Sequence, residues 1–179
     1  MIQRFTILAL AGALAACVAA PTVKTDFDRA ANFSTYKTYT WLPRPTQGPT
    51  LTQQRIVEGI DARLQAKGWK LTDNGDVRVA AQVSTQEKES FQTYYNGVGY
   101  GLGFGGFGPP VPMAATTTVD TYEVGTLVVD MFDAKTKRAV WRGSATGTLP
   151  DNPDKLPALL QTSLDKMFAA FPPSNMPSR

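Results

Sequence analysis

The side chains of this chain that could carry chemistry are carboxylates, serines and one thiol, because its 179 residues include no histidine and a single cysteine. The commonest general base and the commonest metal ligand are therefore both missing. Asp130 and Asp133 could in principle divide acid and base work. Their spacing of three departs from the strand period of two, so they point to opposite faces, and Asp133 sits where a turn would use its carboxylate to accept backbone N–H groups. Ser84, Ser90, Ser144 and Ser163 offer hydroxyls, yet no G-x-S-x-G elbow surrounds them. A serine with a lysine base is conceivable, but no spacing marks such a pair. A structural zinc site would draw on a mixture of Cys and His that the chain does not contain. The expectation is no catalytic residues, no metal and no cofactor: a non-enzymatic protein.

The one thiol is placed differently. Arg4 gives a positive start, residues 5–14 are an apolar run, and small residues follow, which is the layout of a secretory signal. The run is too short to span a bilayer. Leu14-Ala15-Ala16-Cys17 resembles the lipobox of bacterial lipoproteins, in which the cysteine becomes the first residue and a lipid anchor. Residues 1–16 are then a signal peptide. Removing Arg4 with them leaves 17 basic against 15 acidic residues, a balance of +2. No basic run stands out, so nucleic acid is not an expected partner, since its binding needs clustered charge. With Cys17 lipidated, the exported domain folds without disulfides on the strength of its core.

These residues need a scaffold, and the hydrophobic pattern indicates which one. Residues 17–24 read as a lipid-anchored tether, 25–173 as a single domain and 174–179 as a tail. Alternation predicts a strand over 22–28 with Phe27 pointing inward. Aromatic and β-branched residues over 36–42 predict another, with Tyr39 and Trp41 packed. Thr50 and Gln53 suggest a capping box opening a helix that Gly68 stops. Ile56, Val57, Ile60 and Leu64 form its apolar stripe. After Trp69 and Leu71 comes an Asp73-Asn74-Gly75-Asp76 turn, then a clear strand through Val77, Val79, Ala81 and Val83. A returning strand over 116–124 pairs with it, Gly125 separates that from a strand over 126–132, and a turn at 133–137 leads into a strand over 139–149. A last helix begins with Asp154 as N-cap and Pro157 in its first turn. The fold class is α+β, a largely antiparallel β-sheet with two amphipathic helices packed on one face. The other sheet face is left open.

Residues 96–112 read NGVGYGLGFGGFGPPVP, glycine at nearly every second position with Tyr100, Phe104 and Phe107 between. Such composition predicts a flexible loop. The functional alternative is that the three aromatics are possible partner contacts, toward an envelope protein, peptidoglycan or the lipid interface. Two formal G-x-G-x-x-G matches occur here, but prolines follow and no βαβ unit surrounds them, so a dinucleotide site is not expected.

Several blocks carry a family likeness: Asp26-Phe27-Asp28; Phe33-Ser34-x-Tyr36-Lys37-Thr38-Tyr39-x-Trp41; Gly125-Thr126-Leu127-Val128-Val129-Asp130-x-Phe132-Asp133; Val140-Trp141-Arg142-Gly143-x-Ala145; and Phe171-Pro172-Pro173. Together they resemble the bacterial lipoproteins of the domain-of-unknown-function (DUF) 4136 family across nearly the whole mature chain. The resemblance implies a lipid-anchored domain facing the periplasm of a Gram-negative bacterium and carries over no catalytic residues. Val18, where an aspartate is absent after the lipidated position, implies the inner leaflet of the outer membrane. The expected role is a binding or scaffold module of the cell envelope. The alternative is a carrier of a small ligand or lipid, in a helix–sheet cleft lined by Phe27, Trp41, Trp69 and Trp141, assisting envelope transport or assembly.

Overall fold

The computed structural model describes residues 20–96 and 114–173. Its six strands are β1 Thr22–Phe27, β2 Thr38–Trp41, β3 Lys70–Leu71, β4 Val77–Asn96, β5 Ala114–Asp133 and β6 Ala139–Thr148. They form one sheet in the order β1-β6-β5-β4-β2-β3. Only β2 runs parallel to its neighbours, β4 and β3; the other pairs are antiparallel. Two helices, α1 Thr50–Ala66 and α2 Leu156–Phe168, complete the α+β architecture.

One face of the sheet is apolar because the period of two puts every second residue there. Val77, Val79 and Ala81 of β4 are buried, as are their β5 neighbours Leu127, Val129 and Met131. Both helices cover that face. The α1 stripe is Ile56, Val57, Ile60 and Leu64, and α2 adds Leu159, Leu160, Leu164, Met167 and Phe168. Each such side chain contributes roughly 1.5–3 kcal/mol when fully buried. Arg63 ties the two helices, donating to Gln161 and to Asp165 Oδ1 at 2.7 Å.

Local expectations were met in part. Gly68 ends α1 at φ +85° in the left-handed region, as its position predicts. The capping box does not form: Pro49 is the N-cap residue, Thr50 is already helical, and Gln53 Nε2 instead donates to the Gly48 carbonyl at 2.6 Å. Likewise Asp154 does not cap α2, which has no side-chain cap; Asn152 caps the short 3-10 turn Pro153–Lys155 before it, accepting from the Asp154 N–H at 2.9 Å. The strand begins at Thr22, so Thr22, Val23 and Lys24 of the expected tether are paired with Thr146, Ala145 and Ser144. Phe27 keeps its edge-to-face contact with Phe33 but stays 38% exposed, because β1 is an edge strand with no cover beyond it. Gly125 does not break the chain into two strands. β5 runs through it because the missing Cβ leaves room for Leu149, whose Cδ2 would lie 2.7 Å from one.

Candidate functional site

Four places follow from the sequence: the lipidation residue with the glycine-rich aromatics, the carboxylates, the aromatic cleft and the open sheet face. Cys17, Tyr100, Phe104 and Phe107 lie outside the described residues. What the structure does give is the support on which residues 97–113 are mounted. β4 and β5 pair without interruption from Val77↔Asp133 to Asn96↔Ala114. The third strand, β6, stops at Thr148 opposite Val124. From Glu87↔Glu123 outward, ten cross-strand pairs therefore stand beyond the rest of the sheet, an arm of about 33 Å at roughly 3.3 Å per residue. Over residues 87–94 and 116–123 every side chain but that of the half-buried Ser90 is exposed, including Phe91 at 66%, Tyr94 at 56% and Val119 at 50%. Phe91 and Val119 are direct cross-strand partners, and Tyr122 lies opposite Lys88.

The carboxylates are separated and occupied. Asp130 faces the open side of the sheet and pairs with Arg142 across β6 at 3.5 Å. Asp133 builds the β5–β6 turn, its Oδ1 accepting from the N–H groups of Lys135 and Thr136 at 2.9 and 2.7 Å. Its Oδ2 accepts from the Tyr36 hydroxyl at 2.9 Å. The N–H of Thr136 leads the bonds that hold the Asp133 carboxyl below the usual carboxylate range, while burial and Asp133 together push the Tyr36 phenol up to about 12.

A second structural carboxylate was not singled out by sequence. Asp76 Oδ2 accepts from the Lys37 N–H at 3.0 Å, the Thr38 N–H at 3.1 Å and the Thr38 hydroxyl at 2.8 Å. The Asp76 N–H donates back to the Thr38 hydroxyl at 3.0 Å. These bonds hold β2 against the start of β4, and the Lys37 N–H above all lowers the Asp76 pKa. Gly75 makes the approach possible, since a Cβ there would lie 2.3 Å from the Tyr39 carbonyl carbon.

The expected cleft lined by Phe27, Trp41, Trp69 and Trp141 does not form: Phe27 stays at the exposed edge, Trp41 is half-buried, and Trp69 and Trp141 lie in a closed aromatic core. Trp69 and Trp141 are 4% and 3% exposed and meet the Phe171 ring, each at 5.3 Å between centroids. Phe33, Tyr36 and Phe168 complete the cluster in tilted and edge-to-face contacts. Trp41 is half-buried and donates its Nε1–H to Asp61 Oδ1 at 2.9 Å, the oxygen that also accepts from the Tyr39 hydroxyl at 2.8 Å. The Tyr39 phenol is pushed up to about 12, chiefly by burial. The physical reason is packing: large rings under two helices fill space rather than enclose it. An apolar cleft exists elsewhere, about 80 Å³ between the helix N-termini and the sheet, lined by Ile56, Leu127, Leu149, Leu156, Leu159 and Leu160. Ligand sites for drug-sized molecules run to about 300–1,000 Å³.

The fold and the mounted arm define a class, a helix-backed antiparallel sheet carrying a long exposed β-hairpin. The sequence pattern of the domain of unknown function DUF4136 matches residues 23–173, and the chain belongs to that family. No curated protein matches it in sequence. Among solved structures it is similar to a PDZ domain protein from Parabacteroides distasonis ATCC 8503, with a TM-score of 0.54 and 14% identity. That match covers 88% of this chain but only 37% of the other, and at such identity it shows the fold alone. The PelC dodecamer from Paraburkholderia phytofirmans matches with a TM-score of 0.49 and 13% identity, over 83% of this chain and 96% of that one.

Proposed function

We propose that this protein is a lipid-anchored, non-enzymatic binding or scaffold module of the bacterial cell envelope. Cys17 fastens it to the inner leaflet of the outer membrane, and the domain faces the periplasm. The observation that carries the binding role is the arm, because a ten-pair extension with exposed Phe91 and Val119 on one face is surface that a free-standing domain has no reason to keep. Tyr100, Phe104 and Phe107, in the segment joining its two strands, are the proposed contacts for an envelope protein or peptidoglycan. Support for a non-enzymatic reading comes from Asp61, Asp76 and Asp133, whose oxygens are engaged in bonds that hold strands, turn and helix together. Crosslinking in intact cells tests the role: deleting residues 97–113 is expected to remove crosslinks that the full chain makes. An unchanged pattern would rule the segment out.

A second reading, a carrier of a small ligand or lipid, draws on the apolar cleft beside Leu149 and Leu159. Its size suits the end of one acyl chain more than a whole ligand. Native mass spectrometry of the soluble domain would show retained lipid if that reading holds and bare protein if it does not.

A further inference from the structure

We infer that the β4–β5 arm seats on the same bilayer that holds the lipid anchor, so that the protein meets its membrane at two places; this rests on Cys17 being acylated. Strand register supplies the geometry. Thr22, the first residue of β1, pairs with Thr146, which pairs with Thr126, which pairs with Ser84. The N-terminus therefore leaves the body at the arm's end of the sheet. Cys17 is five residues earlier, and five extended residues span at most about 18 Å. From the level of Ser84 the hairpin continues to Asn96, about 40 Å at roughly 3.3 Å per residue. In the other direction the body continues from Ser84 to Val77, about 23 Å by the same rise. A domain with its arm pointing straight away from the bilayer would lift Thr22 beyond the tether's reach. The tether thus excludes an arm standing upright away from the bilayer, and laying the arm along the membrane or turning it inward keeps Cys17 within reach.

The chemistry of the arm agrees with that placement. Its charges, Glu87, Lys88, Glu89, Asp120 and Glu123, lie toward its base. From Phe91 to Val119 the sequence has no Asp, Glu, Lys or Arg. Over that outer part the described exposed side chains are Phe91, Gln92, Thr93 and Tyr94 facing Val119, Thr118, Thr117 and Thr116. Rings with polar neighbours favour the headgroup region, where tyrosine is enriched and water remains for the outward-pointing backbone groups that a two-stranded arm leaves unpaired. A second copy adding its own arm edge to edge in parallel brings the acidic bases together. Glu87 and Glu123 already lie directly opposite within one arm, an unfavourable arrangement. The net acidity of the base also favours a zwitterionic surface over an anionic one.

The test uses the full acylated chain in phosphatidylethanolamine and phosphatidylcholine vesicles containing doxyl-labelled lipid. The Cys17 sulfur is then a thioether, so thiols introduced by Gln92→Cys on one face of the arm, Thr117→Cys on the Phe91 face or, at the far end of the body, Lys137→Cys take a bimane label singly. Lipid quenching at 92 or at 117 at least about twofold stronger than at 137 is expected for interfacial residues. Equal, weak quenching at all three positions in a chain that floats with the vesicles would overturn the arm's seating and leave the anchor standing. Labels at 92 and 117 shielded from aqueous iodide but not quenched by lipid would give the arm to a second protein, and would overturn it too. A chain that fails to float would remove the anchor and this inference together.

Discussion

Asp76→Ala should weaken the join between β2 and β4, and the effect should fade in acid. The carboxylate accepts two backbone N–H bonds and one hydroxyl bond, all between 2.8 and 3.1 Å. A net value near 1 kcal/mol per bond, reduced for partial exposure, gives about 2–3 kcal/mol at pH 7. Asp76→Asn keeps one oxygen acceptor and loses the charge, and should cost about 1 kcal/mol. Because the folded pKa of Asp76 lies below its ordinary 3.8, the stabilisation is present above that value and is lost as pH falls through the folded pKa. Asp133 shifts in the same direction but titrates in both proteins, so it cancels in the comparison. Urea unfolding of the soluble chain, made with Cys17→Ser, reads the difference at pH 7 and pH 2.5. A gap of about 2–3 kcal/mol at pH 7 that is smaller at pH 2.5 is expected. A gap under about 0.5 kcal/mol at pH 7, or one that does not change with pH, would refute the assignment of these bonds.

Three further outcomes follow from the packing. Phe171→Ala, at the centre of rings from Phe33, Trp69, Trp141 and Phe168, should destabilise by about 3–5 kcal/mol in the same assay; a loss below about 1 kcal/mol would mean the cluster is not the core. Gly143→Ala places a Cβ 2.5 Å from both Met167 Cγ and the Trp141 ring, and should lower the melting temperature by several degrees, checked by calorimetry. In alkali, Tyr36 and Tyr39 should ionise above the ordinary phenol range, and the stability tied to them, complete below pH 10, should fall as pH rises from about 10 to about 12. Absorbance of the phenolates, compared with Tyr36→Phe and Tyr39→Phe, reads this directly.

The body of the sheet was legible in sequence because one of its faces is buried. Val77, Val79, Ala81 and Val83 alternate with polar partners, and the helix stripes repeat at helical spacing. Of the arm only the returning strand over 116–124 was legible; the extension of β4 beyond Ser84 that pairs with it was not, for the same physical reason reversed. With both faces in solvent, residues 85–94 have no apolar alternation to betray a strand, and their pairing with β5 is visible only in register. Gly125 misled because glycine weakens a strand unless a neighbour needs its space, and Leu149 lies 24 residues away. Asn74-Gly75-Asp76 was readable as a turn, but its hold on Thr38 is a tertiary contact across 38 residues. The four aromatics of the expected cleft were correctly noted as large and apolar. Their type alone does not distinguish a lined pocket from a filled core.

The central claim is that an acylated Cys17 holds this domain at a membrane, and the mass of the protein extracted from its native envelope tests it most directly. The expected result is a chain that begins at Cys17, heavier than its residues by a diacylglyceryl group and a further acyl chain, with Cys17→Ser released in soluble form. A membrane-free protein that retains residues 1–16, or one whose only cysteine is a free thiol, would contradict it.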